Sequence, residues 1–222
     1  MSTREAARRL GVSQRQVQRL VGNGTLSGYR TAAGNSLVVD PLSVSALQRR
    51  SVSQGRPWSP GVAWGALWML SGLAASWLTE SQLSRTVARL SSIRPEALVD
   101  ATRQRAVVVR YRGGQTALDH SFEFLVLTGS SAQSASRVNL SAQRAADGYC
   151  LSATEREYSH KYGLLLDRLG QITVRIPSLD EVITDRREMP IAVVAVDLAS
   201  SYESRDREAG LKMLSELLRE VQ

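Results

Sequence analysis

A chain of 222 residues with 43% apolar side chains exceeds the commonest single-domain size, so one sizeable core plus a small appended module is expected. Its single cysteine, Cys150, excludes an intramolecular disulfide and a multi-cysteine zinc site, and is read as a buried, inert thiol. The net charge of +7 is unevenly spread: residues 1–50 hold eight arginines against Glu5 and Asp40, a net of +6, so the first quarter attracts a polyanion.

Only Lys161 and Lys212 are lysines. Arginine supplies the remaining positive charge, and its planar fork suits bidentate contact with phosphate or guanine. The opening MSTREAARRL lacks an apolar signal-peptide core, so a cytoplasmic, reducing location is expected rather than export. Residues 57–79, PWSPGVAWGALWMLSGLAASWLT, carry no charge and are long enough in principle to cross a bilayer. Gly, Ser, Ala and Pro60 dilute the segment and arginines flank it, so a buried core helix is expected and no membrane contact.

In chain order, STRE at residues 2–5 is a capping-box pattern, with Ser2 accepting from the Glu5 backbone and Glu5 reaching back. The first helix should then run to Leu10, with Ala6, Ala7 and Leu10 inward and Arg8 and Arg9 outside. Gly11 ends it, Val12 staples the turn, and Ser13 caps a second helix reaching about Val21. Val17, Leu20 and Val21 share one face, which leaves Arg15 and Arg19 pointing most directly away with Gln18 beside them. A merely solvated face usually mixes Glu with Lys; this helix has no acidic residue.

Asn23–Gly24 reads as a turn, and TLSGYRTAAGNSLVV as two short strands around a turn at Ala33–Asn35. A third helix should follow, capped by Asp40 with Pro41 at its first position and Leu42, Val44 and Leu47 packing. Residues 51–57 are polar and Gly/Pro-bearing and read as a linker.

The stretch EAARRLGVSQRQVQRLVGNGTLSGYRTAAGNSLVVDPLSVSALQ resembles the winged helix-turn-helix of the MerR and excisionase-like group, whose pattern is E-A-A-x-x-L-G-V-S, a short helix, x-G-x-L and a wing. The resemblance covers about the first 50 residues and implies binding to double-stranded DNA. It places the helix from Ser13 to Val21 in the major groove and the hairpin with Tyr29 and Arg30 against backbone or minor groove. The TAAGN wing is less basic than the pattern often shows. The side chains have fitting chemistry of their own: Gln14, Gln16 and Gln18 suit adenine, Arg15 and Arg19 suit guanine, and Ser13 with nearby backbone N–H groups suits phosphate.

From Trp58 the pattern changes to helices interleaved with short strands. Ser59–Pro60 should start a core helix using Trp64, Leu67, Trp68, Leu70, Leu73, Trp77 and Leu78. Helices are expected near Glu80–Leu90 and Pro95–Gln104, and strands at AVVVRY, FLVLTG, VNL and GYCL. TEREYSHKYGLLLDRLG reads as one helix closed by Gly170, QITVRIP as a half-buried strand, PIAVVAVDLA as a fully apolar strand ending at Asp197, and SRDREAGLKMLSELLREV as an amphipathic terminal helix. The fold class is therefore α+β: a winged helix-turn-helix over 1–50, a linker over 51–57 and a larger mixed α/β domain with a small sheet over 58–222. RPWSPGVAWGALWMLSG, FLVLTG and VVAVDLASSYESRDREAGLKML are similar to the second domain of actinobacterial helix-turn-helix antitoxins of the abortive-infection type, encoded beside nucleotidyltransferase-like toxins. That resemblance implies an antitoxin repressing its own operon, with the second domain for partner or further DNA contact.

Asp197, at the end of an expected strand, holds a position where α/β enzymes place metal-binding carboxylates. No phosphate-binding G-x-x-x-x-G-K-[ST] loop or dinucleotide-binding G-x-G-x-x-G accompanies it, so a structural aspartate is favoured. Asp119–His120 and His160 could suggest a general base, but the two histidines fall on different elements without a nucleophile motif and too sparsely for a metal site, so a surface or satisfied-core role is favoured for each histidine. No catalysis, metal or cofactor is expected. The leading reading is a sequence-specific transcriptional regulator with a cognate toxin as partner and a homodimer left open. A DNA-targeted nuclease or transferase using Asp197 is the alternative from another class, and an excisionase-like recombination accessory protein is a third.

Overall fold

The computed structural model describes residues 1–22, 25–26, 28–30, 36–52, 56–132 and 145–221. The turns expected at Asn23–Gly24 and Ala33–Asn35, the VNL strand and part of the expected linker lie outside the described residues. The chain divides into two compact units, Met1–Gln54 and Gly55–Gln222, and its fold is α+β.

In the smaller unit α1 (Thr3–Leu10) begins as its sequence dictates, with the Glu5 N–H donating 3.2 Å to Ser2 Oγ. The reciprocal half of the expected capping box is replaced: the Glu5 carboxylate turns outward and pairs with Arg8 and Arg9. Gly11 takes φ +67°, a left-handed value that costs glycine nothing, and its N–H closes back on Ala7 and Arg8. Helix α2 (Gln14–Gly22) starts at once, its Gln16 N–H donating 3.2 Å to Ser13 Oγ. Strands β1 (Gly28–Arg30) and β2 (Leu37–Val39) pair antiparallel with Tyr29 opposite Val38. In α3 (Pro41–Val52) Asp40 caps the Ser43 N–H at 2.9 Å, and the helix runs to Val52, two residues into the expected linker. Ala6, Ala7, Val17, Leu26, Val39 and Val44 form this unit's core.

The larger unit is built on a five-stranded sheet. Its strands are β3 (Ala106–Arg112), β4 (Val126–Leu127), β5 (Ala146–Tyr149), β6 (Leu165–Leu166) and β7 (Ile172–Pro177), in the order β4-β5-β7-β3-β6. All neighbours are antiparallel except β5 and β7, which are parallel. Among the described residues its α-helices are α4 (Pro60–Leu70), α5 (Glu80–Leu90), α6 (Pro95–Ala101), α7 (Gln115–Asp119), α8 (Ser152–Lys161), α9 (Ile191–Ala199) and α10 (Ser204–Arg219). Helix α8 supplies the crossover that a parallel β5–β7 pair needs. No helix among the described residues is long and apolar enough to cross a membrane.

Four expectations are corrected. The tryptophan-bearing helix stops at Leu70, because the chain turns at Gly72 (φ +71°); Leu73, Trp77 and Leu78 reach the core from the following loop. The helix expected to close at Gly170 ends at Lys161, where Gly163 (φ +59°) redirects the chain into β6. QITVRIP is almost wholly buried rather than half-buried, since β7 lies between β5 and β3. PIAVVAVDLA is a helix, α9, with every residue from Ala192 to Ala199 buried. A short apolar run fits a buried strand or a buried helix equally, and the helix pairs its own backbone groups without needing strands on both sides.

Helices α9 and α10 cross with almost no gap at Gly210, where an added Cβ would sit 2.3 Å from the Ala199 nitrogen and 2.5 Å from the Ala195 carbonyl oxygen. Because backbone cannot yield as a side-chain tip does, Gly210→Ala should cost about 3 kcal/mol by overpacking, read as a lowered midpoint in chemical denaturation.

Candidate nucleic-acid interface

Burial orients α2 unambiguously. Val17 is fully buried beneath α1, Leu20 and Val21 pack against the same core, and Ser13, Gln14, Arg15, Gln18 and Arg19 are exposed. Residues 14 and 18, and 15 and 19, are each one turn apart, so the exposed face presents two carboxamides beside two guanidiniums. Gln16 is only half exposed, on the margin toward the core. Ser13 accepts the Gln16 N–H through its oxygen and keeps its O–H to donate.

The expected hairpin residues lie on β1, where Tyr29 is 67% exposed and Arg30 is exposed. On α1, Arg4 and Arg8 are also exposed, but Arg8 and Arg9 share the Glu5 carboxylate, whose pKa their hydrogen bonds hold below the ordinary value. The strongest uncompensated positive face of α1 and α2 is therefore that of Arg15 and Arg19, on a helix with no acid.

The larger unit contains a buried ion cluster that the sequence reading missed apart from Asp197. Asp197 lies within α9 rather than at a strand end, and its side chain is fully buried. Its Oδ1 pairs with Arg105, lies 3.0 Å from Arg175 Nη1 in a second ion pair and accepts 3.3 Å from the Tyr149 hydroxyl, while Oδ2 accepts 2.7 Å from Thr128 Oγ1. Arg175 also forks onto both oxygens of Asp147, at 2.7 and 2.8 Å. Two guanidiniums and two carboxylates thus neutralise each other. Burial works to lower the Arg175 pKa, but Asp147 and Asp197 reverse that and hold it well above the ordinary arginine value. Arg105 also donates 3.0 Å to the Thr102 carbonyl. Every buried side-chain nitrogen and oxygen among the described residues has a partner.

With its oxygens so engaged, Asp197 serves as the keystone that fastens α9 to the sheet. The readable signal was a charged residue set in each of two apolar runs, TVRIP and AVVAVD. Tyr149 stays protonated because burial raises its pKa. The Cys150 thiol is buried and its pKa is pushed up to about 12 by that burial, consistent with the inert role expected of it.

Asp119 is exposed, His120 is half-buried and bonds Glu123 at 2.7 Å while stacking on Tyr162, and His160 is exposed on α8. No protein-family model, curated protein or solved structure matches this chain.

Proposed function

We propose that the chain is a sequence-specific DNA-binding transcriptional regulator that reads the major groove with α2. The observation that carries this reading is the exposed, acid-free face of Gln14, Arg15, Gln18 and Arg19, in which Arg15 and Arg19 lie opposite the buried Val17 with the glutamines beside them. Glutamine presents one donor and one acceptor to adenine, and arginine two donors to guanine. Ser13 and the first N–H groups of α2 would meet a phosphate, with Tyr29 and Arg30 against the flanking backbone. The sequence resemblance of residues 1–50 to MerR and excisionase-like domains supports the same docking.

The biological setting proposed is an autoregulating antitoxin acting in the cytoplasm, with the larger unit contacting a cognate toxin. It is supported by the sequence resemblance of residues 56–72, 124–129 and 193–214. Four exposed arginines on α1, α2 and β1 lie outside the Glu5 pairs: Arg4, Arg15, Arg19 and Arg30. If all four meet phosphate, log K should fall with log salt at a slope of about −4, measured by fluorescence anisotropy on duplex DNA. A slope near zero would show that no phosphates are neutralised and would overturn the proposal.

A further inference from the structure

The ion cluster beneath α9 has a neighbour that unbalances it. Arg110 on β3 stands opposite Thr173 on β7, and Thr173 stands beside Asp147 on β5, so the three side chains form one row across the sheet. Arg175, two residues on from Thr173, shares their face and joins Asp147 to Asp197 of α9. Arg105 and Arg175 balance Asp147 and Asp197, which leaves Arg110, within reach of the charges of Asp147 and Arg175, as a third guanidinium beside two carboxylates.

Arg110 is half-buried, with its Cζ 4.6 Å from the centre of the Tyr202 ring in the turn between α9 and α10. A guanidinium laid on an aromatic face keeps its planar fork of donors free. No acceptor among the described residues takes a hydrogen bond from it. Burial draws its pKa below the ordinary arginine value, a fall that Tyr202 and Asp147 oppose and Arg175 deepens, yet it remains charged. Beside it Thr173 is 6% exposed, and its hydroxyl also bonds nothing among the described residues. Because no fully buried nitrogen or oxygen there lacks a partner, both groups must reach solvent-accessible space. The next arginine along, Arg112, is already paired with Asp167. Val108, two residues before Arg110 on the same face, is 49% exposed.

We propose that Arg110 and Thr173 form a binding site for a small organic monocarboxylate whose apolar body lies on Val108. Three features select this ligand. The charge left over is a single positive one, which a monoanion cancels. A carboxylate takes two parallel N–H bonds from a guanidinium and has a lone pair left for the Thr173 O–H. An exposed valine beside the charge favours a ligand with a carbon body over a bare inorganic ion.

The site lies in the larger unit and is tested on the full chain without DNA, so its failure leaves the DNA reading untouched. The probes are acetate and hexanoate at constant chloride, followed through the arginine Nε–H signals in proton–nitrogen NMR spectra and by isothermal titration. Hexanoate should shift the Arg110 signal, identified by its loss in Arg110→Gln, and saturate at about 1–10 mM. Acetate should bind about 10-fold more weakly, because Val108 covers part of the longer chain. Arg110→Gln should abolish the heat of binding. Thr173→Val, which keeps shape and charge, should weaken hexanoate about 5–10-fold. An Arg110 signal that hexanoate leaves in place, acetate binding as tightly as hexanoate, or hexanoate affinity unchanged in Arg110→Gln or in Thr173→Val would each overturn the proposal.

Discussion

Asp197→Ala should destabilise the larger unit by about 3–5 kcal/mol, the cost of leaving buried charge without its partner. Arg105 would keep only the Tyr149 hydroxyl and the Thr102 carbonyl, and Thr128 would lose its acceptor. Arg175 retains the Asp147 fork, so the loss concentrates on Arg105. All four tryptophans fall at positions 58–77, within the larger unit, so urea denaturation followed by tryptophan fluorescence reports that unit alone. Asp197→Asn should be nearly as damaging, because the amide restores shape without charge. Replacing Arg105 and Asp197 together by Met and Leu should recover much of the loss, since the pair then vanishes instead of being split. An unchanged midpoint in Asp197→Ala would mean that the carboxylate contributes little to folding and would reopen it as a functional group.

Arg15→Ala and Arg19→Ala should each cost about 1–3 kcal/mol in DNA affinity and relax base preference at one position of the site. Both side chains are exposed and neither packs in the core of the smaller unit, so the variants should fold normally by circular dichroism. Gln18→Ala should relax preference at an adjacent position, whereas Gln16→Ala should have less effect, given its half-buried place on the inner flank. Anisotropy titrations against a matched and a scrambled duplex separate the two consequences. A uniform loss on both duplexes would assign the arginines to phosphate. No loss on either would remove α2 from the interface.

Much of the smaller unit was legible because its signals are local. Ser2, Gly11, Ser13 and Asp40–Pro41 each specify a helix end within a few residues, and the inward stripe of α2 follows from helical spacing alone. The larger unit was less legible where outcome depends on distant partners. PIAVVAVDLA becomes a helix because α10 crosses it at Gly210 and the sheet lies beneath it, neither of which its own residues announce. The same holds for Gly163, which outweighs the apolar residues after it and ends α8 early. Asp197 was legible as a residue of interest, but its partners lie 92 and 22 positions away in sequence, at Arg105 and Arg175, and no spacing rule reaches them. The outward face of α2 could be read in advance because exposure there is decided by a core a few residues away.

The central claim, that α2 reads base sequence, is tested most directly by incubating the full-length chain with a pool of random-sequence duplexes and sequencing those retained. Enrichment of one motif, lost in the Arg15→Ala/Arg19→Ala double variant, is the expected result. A retained pool with the base composition of the input would contradict it.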